Sequence, residues 1–413
     1  MSQNFFKAIG LIIFSAIIGA LALTIVYLLP TDHMINHVES SVEIFYKEET
    51  YPQQVAGYKM SQLDNETDAI MLLNAIYERK EGEAALKTAM QVPRIDFEDD
   101  YSGRSELVSW LWLKKEPESV TDYARYWHGY LLFLKPLLLF LDYADIRILN
   151  MIIQLFLIAY LLVRMVEKGY KREIVPLLTA IAVINPVAIA MSLQFSSIYY
   201  IVIVSLLYLC NHNIDDLMQK DFLIFTALGI ITAFFDFLTY PIATFGMAAV
   251  FMMVNKKLKG DWKNDTLLLV KWGFFWGIGY AGMWSCKWSL SSLILHENII
   301  LEVLGQASVH TSDVVIMNEQ YNLFQVVWRN IRVFVKWPYL LLGVGLFIVG
   351  LKKSIRFELR KWKNMIPFLI IAVLPIIWLM ILKSHSGFLY WYTYRNLMVT
   401  VFALFCGLQA IEK

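Results

Sequence analysis

Two acidic residues in one polar segment are placed to take part in proton transfer. Asp68 follows the polar stretch 63–67 and begins an apolar helical pattern, so its carboxylate can either cap a helix or accept a proton from a hydroxyl group. Asp64 lies one helical turn earlier in the same stretch. We predict Asp68 as a catalytic base and Asp64 as a residue that supports acceptor binding.

A third carboxylate, Asp236, ends an apolar segment and stands between two phenylalanines. An ionisable side chain in such a segment is costly to leave against lipid, which indicates either a functional site or a buried ion pair with Lys287. We assign Asp236, Gln194 and Tyr240 to the acceptor site or to the residues that support it.

Positive charge is expected at two positions of the same surface. Lys287 follows a glycine-rich aromatic segment, where it can extend to lipid headgroups or hold an anionic phosphate. Arg395 stands among aromatic residues in the segment 385–396. A guanidinium there suits a phosphate, although an aromatic belt with an anchoring arginine has the same composition. We assign Lys287, Arg395, His385 and Tyr394 to the donor-phosphate site. The alternative for His385 is a structural role, in which its ring only makes a hydrogen bond.

The elements that carry these residues are long and apolar. Of the 413 residues, 58% are hydrophobic, and the mean hydropathy of +0.52 is too high for a soluble globular protein. Runs of about 17 to 22 apolar residues match the thickness of a bilayer core. The sequence therefore predicts an all-α polytopic membrane protein with one membrane domain over residues 1–413. The first run is longer than the apolar part of a signal peptide, so we expect a retained anchor.

About ten apolar segments are long enough to be transmembrane helices. They lie at residues 5–29, 146–163, 174–191, 195–210, 222–240, 241–254, 266–285, 334–351, 365–383 and 393–410.

Three basic stretches fix the predicted orientation of these spans. Residues 164–172 and 256–263 each hold four lysines and arginines, and residues 352–363 hold six. All three fall on one side when the spans are threaded from a cytoplasmic N-terminus, as the excess of positive charge in cytoplasmic loops requires. Both termini are then cytoplasmic. Every predicted site residue falls on the opposite, extracytoplasmic side.

Two long loops are predicted on the outer side. Residues 31–145 form the first and residues 288–333 the second, which we expect to hold a surface helix. Within the first loop the pattern predicts helices over 68–77 and 122–141. We predict the apolar stretch 127–140 to be an interfacial or partly buried helix along the outer leaflet and not a span. Lys135 at its centre costs about 2.5–3.5 kcal/mol to insert, and a further span would move the basic loops outside.

Other classes of site are not indicated by the sequence. Cys210, Cys286 and Cys406 show neither a pairing pattern nor metal-ligand spacing, and no basic patch indicates a nucleic-acid partner. The sequence predicts no metal site, and it does not exclude a requirement for a divalent metal ion.

The pattern in the N-terminal half resembles the GT-C superfamily of membrane glycosyltransferases, which take sugars from polyprenyl-phosphate carriers. The resemblance rests on an early acidic motif in the first outer loop, residues 67–72, and on a surface helix followed by Asp145 and Arg147 at the start of the next span. The chain departs from the family at Trp127-His128, where many members have two prolines, and at Gln194, where some have an acidic residue.

The resemblance implies an enzyme that acts at the outer face of a membrane, and the short loops and modest length of the chain favour a bacterial cell membrane. It implies that Asp68 deprotonates the acceptor and that cations near the outer surface, here Lys287 and Arg395, hold the carrier phosphate. The reaction would be a single displacement with inversion, and no cofactor is implied beyond the lipid-linked donor. The implied partners are membrane lipid, a polyprenyl-phosphate sugar and a glycan or lipid-linked acceptor.

Three alternatives remain open on the sequence. A polysaccharide polymerase or ligase acts on similar substrates, but would place its long outer loop between late spans. A flippase or other transporter would carry ionisable residues near mid-span and an internal repeat. A structural protein of an envelope complex would leave Asp236 without a role.

Overall fold

The computed structural model describes residues 2–97, 102–256, 261–316, 319–336 and 359–410, with positions 341, 343–345 and 348. It is mostly helical, at 76%. This agrees with the predicted all-α class.

The α-helices are α1 (Ser2–Val26), α2 (Asp32–Lys47), α3 (Asn65–Ile76), α4 (Ala85–Gln91), α5 (Gly103–Leu111), α6 (Leu131–Leu138), α7 (Tyr143–Glu167), α8 (Ile174–Val183), α9 (Pro186–Met191), α10 (Leu193–Asn211), α11 (Ile214–Gln219), α12 (Asp221–Phe235), α13 (Ile242–Asn255), α14 (Trp262–Leu295), α15 (Ile299–Thr311), α16 (Leu323–Phe334), α17 (Ile366–Ile381), α18 (Lys383–Phe388), α19 (Tyr390–Thr393) and α20 (Met398–Gln409). Short 3-10 helices lie at Lys59–Ser61, Leu359–Met365 and Tyr394–Leu397. Two antiparallel hairpins pair β1 (Arg94–Asp96) with β2 (Ser119–Thr121) and β3 (Val314–Ile316) with β4 (Glu319–Tyr321).

Among the described residues, four helices are long and apolar enough to cross a membrane. They are α1, α7, α10 and the segment Trp362–Ile381, which includes α17. Helices α8, α12 and α13 are apolar but shorter. The total of about ten spans stays a prediction, and most of the predicted span 334–351 lies outside the described residues.

The predicted span 174–191 is wrong as a single helix. It is divided into α8 and α9 at Asn185, whose backbone has a φ of 54°. The Asn185 side chain accepts a hydrogen bond from the Ala188 amide, and Pro186 occupies the first turn of α9. Proline cannot donate to the preceding turn, so a new helix begins there.

In the first outer loop one helix is confirmed and the other is wrong in extent. The predicted helix 68–77 is present as α3. The predicted helix 122–141 is reduced to α6, because residues before it bond to other elements: the Gly129 amide donates to the Phe234 carbonyl at 2.9 Å. A side chain at Gly129 would fall within 2.5 Å of that carbonyl oxygen, so glycine permits the approach. Lys135 of α6 is buried and donates to the Ala75 carbonyl.

The second outer loop holds more structure than the single surface helix predicted. Helix α15, the β3–β4 hairpin and helix α16 follow one another. Helix α16 is amphipathic: Val326 and Val333 are buried, whereas Phe324 and Trp328 on the opposite side are exposed. The apolar residues of α16 therefore serve both the interior and the outer surface.

The tightest packing in the bundle joins α12 and α14. A Cβ at Gly229 would lie 2.1 Å from the Trp276 carbonyl oxygen, and a Cβ at Gly279 would lie 2.2 Å from the Thr226 carbonyl oxygen. Small residues allow helix backbones to approach in this way.

Replacement of Gly279 tests this contact. Gly279→Ala places a methyl group against the α12 backbone, and we expect a loss of about 1–3 kcal/mol, the usual cost of overpacking. Gly277→Ala on the same helix is the control, since nothing lies within 4 Å of its added Cβ. Thermal unfolding of both variants in detergent is the measurement, and equal midpoints would contradict the close-approach argument.

Candidate functional site

A cavity of about 170 Å³ lies where the ends of several helices meet the segments 31–145 and 288–333, which the sequence predicts as outer loops. Several elements contribute to its wall: the first half of α3, the segment 123–130, the start of α10, Phe237 beyond the end of α12, helix α15 and the segment 385–392 with helices α18 and α19. The polar and charged residues of that wall are Thr67, Arg125, Gln194, Gln306, His310 and His385.

Asp68 lies behind this wall and holds three helices together. Its carboxylate accepts hydrogen bonds from the Tyr143 hydroxyl at 2.6 Å, the Leu193 amide at 3.0 Å and the Gln194 amide at 3.2 Å. The side chain is fully buried and does not line the cavity. Burial raises the pKa of Asp68, whereas the Arg147 guanidinium and the three donors oppose that rise.

Gln194 lines the cavity directly in front of Asp68. Its backbone is fixed by Asp68, and its side-chain oxygen is buried without a hydrogen-bond partner. A buried amide oxygen without a hydrogen-bond donor destabilises the protein, so a hydrogen bond from a ligand hydroxyl or amine to this oxygen would be favourable.

His385 lines the opposite side of the cavity. Its Nε2 lies 3.0 Å from the Leu238 carbonyl, and its Nδ1 is buried without a partner. The ring meets His310 edge-on at 5.0 Å and Tyr392 at 5.8 Å. Burial and, to a smaller extent, His310 lower the pKa of His385 to about 4, although the contact with Leu238 opposes them, so the ring is neutral at pH 7.

Arg125 supplies the positive charge of the wall. Its guanidinium stacks on Tyr123 at 4.5 Å and pairs with Glu302 of α15 at 2.8 Å. Its Nε is buried without a partner. The arginine is therefore held in place on two sides and still has a free donor.

Aromatic rings form much of the remaining wall. Tyr126 packs edge-on against Phe237 at 5.3 Å, and Phe237 in turn meets Tyr130 at 5.4 Å. Tyr392 closes the far side. These contacts fix the rings before any ligand enters, as is usual for small-molecule sites.

The two cations predicted to hold phosphate lie elsewhere. Lys287 is fully buried and donates to the Met90 carbonyl at 2.8 Å. Arg395 is fully buried, donates to the Ile184 carbonyl at 3.2 Å and stacks on Phe195 at 4.0 Å. Tyr394 is also buried, with its ring 5.2 Å from the Arg395 guanidinium. None of the three lines the cavity.

The other predicted acceptor residues lie close to the wall but outside the lining. Asp64 caps α3 through the Thr67 amide and hydroxyl. Asp236 accepts hydrogen bonds from the amide and hydroxyl of Thr239. Tyr240 donates to the Phe195 carbonyl at 2.6 Å. Of the residues predicted from the sequence, the structure thus brings Gln194 and His385 to one cavity.

Sequence reasoning missed Arg125, Gln306, His310 and the tyrosines of segment 123–130. Arg125 stands in an irregular stretch that we predicted to be helical, so no periodicity marked its direction. The signal available was composition: aromatic residues dense around a single arginine, between acidic and apolar segments.

A large apolar groove adjoins the cavity. It encloses about 1030 Å³ and is lined mainly by α7, α10 and α12, with parts of α1 and α6. Met71 and Tyr130 line both the groove and the cavity. A polar chamber and an apolar channel therefore share a wall.

No family model matches the chain, and neither a curated protein nor a solved structure matches it. The described residues also contain no cluster of three or more histidine, cysteine or acidic side chains able to hold a metal.

The titration of Asp64, which caps α3, predicts how the stability of the folded protein depends on pH. Burial raises the pKa of Asp64 to about 7, above its value of about 3.9 in an unfolded chain. The folded state therefore prefers the protonated acid, and this contribution to stability is greatest at low pH and is lost as pH rises toward 7.

Asp64→Asn is expected to remove that dependence. Asparagine is also a good helix cap, so the bond from the Thr67 amide is retained. Thermal midpoints measured from pH 4.5 to 8 should fall more steeply for the wild type than for the variant. Parallel curves would show that Asp64 titrates normally.

Proposed function

We propose that the chain is a membrane glycosyltransferase that moves a sugar from a polyprenyl-phosphate donor to an extracytoplasmic acceptor. The observation that carries the proposal is the shared wall of the polar cavity and the apolar groove at Met71 and Tyr130. A ligand that fills both spaces has a polar head and a long apolar tail.

The dimensions of the groove favour a long single chain. Its lining on α10 runs from Leu193 to Leu209. At 1.5 Å per residue this is about 24 Å, most of the roughly 30 Å bilayer core. An acyl chain of an ordinary phospholipid spans one leaflet, whereas a polyprenyl chain can fill the whole length.

The chemistry of the cavity favours a sugar phosphate as the head. Arg125 offers an unpartnered donor and a fixed positive charge near the rim. Guanidinium groups are well suited to phosphate. We therefore assign the carrier phosphate to Arg125, which lines the cavity, in place of Lys287 and Arg395, which are fully buried outside its lining.

The remaining wall fits the sugar itself. Tyr126, Tyr130 and Phe237 offer aromatic faces for its apolar surfaces, and Gln194 offers an acceptor for a hydroxyl. Mostly aromatic walls with a few placed polar groups are typical of small-molecule sites. In the proposed orientation this end of the bundle faces outward, as the basic loops require.

Purified protein in nanodiscs, offered a panel of polyprenyl-phosphate sugars with long and short chains, tests the proposal. Wild type is expected to release polyprenyl phosphate from a long-chain donor. Ala227→Trp, which fills the groove, should raise the apparent KM for that donor about tenfold or more while changing the KM for a short-chain analogue little. The reason is that buried CH₂ groups contribute about 0.8 kcal/mol each.

Ala281→Trp is the matched control, because Ala281 is exposed and lies outside the groove. No turnover with any donor, from protein of normal thermal stability, would favour the transporter or polymerase alternatives. Equal changes in the KM for the long-chain donor in Ala227→Trp and Ala281→Trp would show that the groove does not bind the donor chain.

Charge removal at the rim tests the phosphate assignment. Arg125→Gln should raise the donor KM about 10- to 100-fold, the cost of one charged hydrogen bond. Its thermal midpoint should stay near that of the wild type, because the Arg125–Glu302 pair is partly exposed.

Arg125→Lys keeps the charge and should retain part of the affinity. Lys287→Ala should affect stability and not donor binding. It removes the buried hydrogen-bond donor to the Met90 carbonyl, so the thermal midpoint should fall while the donor KM stays close to that of the wild type. A larger rise in donor KM for Lys287→Ala than for Arg125→Gln would favour Lys287 as the residue that binds the carrier phosphate.

A further inference from the structure

Transfer of a sugar to a hydroxyl group needs a proton acceptor, and the described lining of the cavity carries no carboxylate. Asp64, Asp68 and Asp236 are buried outside the lining, and Glu302 is paired with Arg125. The nitrogen bases of the lining are His310 and His385.

Asp68 is poorly placed to accept a further proton. A carboxylate oxygen has about two acceptor positions, and Oδ2 already receives the Tyr143 hydroxyl and the Leu193 amide. Oδ1 receives only the Gln194 amide, but the carboxylate is fully buried and does not line the cavity in which the acceptor hydroxyl would lie. Removal of any of these bonds would loosen the start of α10, so the carboxylate acts by positioning Gln194.

His385 has the opposite arrangement. A carbonyl oxygen can only accept, so the contact with Leu238 requires that Nε2 carry the hydrogen. The neutral ring then has its lone pair on Nδ1, the atom that is buried without a partner. The contact with Leu238 thus fixes the basic tautomer, in the way that a second hydrogen bond orients catalytic histidines in general.

We propose that His385 Nδ1 is the proton acceptor of this site and that its substrate is a hydroxyl group of the sugar or polyol acceptor. The inference rests on the proposed function and deepens it. The acceptor oxygen forms a bond to the anomeric carbon as the bond from that carbon to the carrier phosphate breaks. The bonding pair leaves with the phosphate oxygen, and the hydroxyl proton moves to Nδ1.

The surroundings of His385 favour this role. His310 of α15 and Tyr392 of α19 meet the ring, and Arg125 lies in the same wall. Burial of the ring and the neighbouring His310 lower the pKa of His385 and keep it neutral before the reaction. After proton transfer the new imidazolium is stabilised by the phosphate dianion formed in the same cavity.

His385→Gln separates the two nitrogen positions. The glutamine amide can still donate to the Leu238 carbonyl but provides no base at the Nδ1 position. We expect kcat to fall about 10²- to 10⁴-fold, the usual contribution of general base catalysis, with donor KM and thermal midpoint little changed. A wild-type kcat in this variant would overturn the proposal.

A second measurement does not depend on turnover. In protein labelled with ¹⁵N-histidine, the signals lost in His385→Gln identify the ring, and its Nδ1 should be unprotonated from pH 5 to 8. A proton on Nδ1 in that range would overturn the proposal. If no donor supports turnover, the proposed function fails by itself; methyl glycosides then decide the inference, since a shift of the Nδ1 signal supports it and an unchanged signal overturns it.

Discussion

The buried carboxylate of Asp68 is the interaction on which the architecture of the site depends. It receives donors from the first residues of α7 and α10 while it belongs to the first turn of α3. Unpaired amides at a helix start carry partial positive charge, so a carboxylate there is stabilised even without water. One side chain thereby aligns the starts of three helices and fixes Gln194 at the cavity wall.

Two buried basic side chains also connect helices through hydrogen bonds to the backbone. Lys287 joins α14 to the carbonyl end of α4, and Arg395 joins the last helices to the end of α8. Each side chain donates a hydrogen bond to a backbone carbonyl near a helix end. Removing such groups from water is costly, and the cost is recovered when they bond to carbonyls that would otherwise be unpaired. Charge in the interior thus stabilises the frame, while Arg125 at the rim remains available for a ligand.

The sequence predicted the elements better than their contacts. Apolar runs gave α1, α7, α10 and α17 because burial in a bilayer or a core imposes a simple length and composition. The break at Asn185 depends on a left-handed residue before a proline, a local signal that a continuous apolar run conceals. At Arg395, composition could not distinguish a phosphate from the Ile184 carbonyl, which lies far away in the chain. Contacts of that range are set by packing, which a single sequence does not reveal.

A histidine base suits a site of this kind better than a carboxylate. In the proposed reaction the carrier phosphate gains one negative charge as its bond to the sugar breaks. A carboxylate base would begin with its own negative charge and add an unbalanced anion to a cavity of low dielectric, where repulsion from the phosphate is strong. Neutral His385 instead gains a positive charge as the phosphate gains its negative one. The imidazolium and the additional phosphate charge therefore form together in one cavity, so the transfer leaves neither of the two new charges as an unpaired ion.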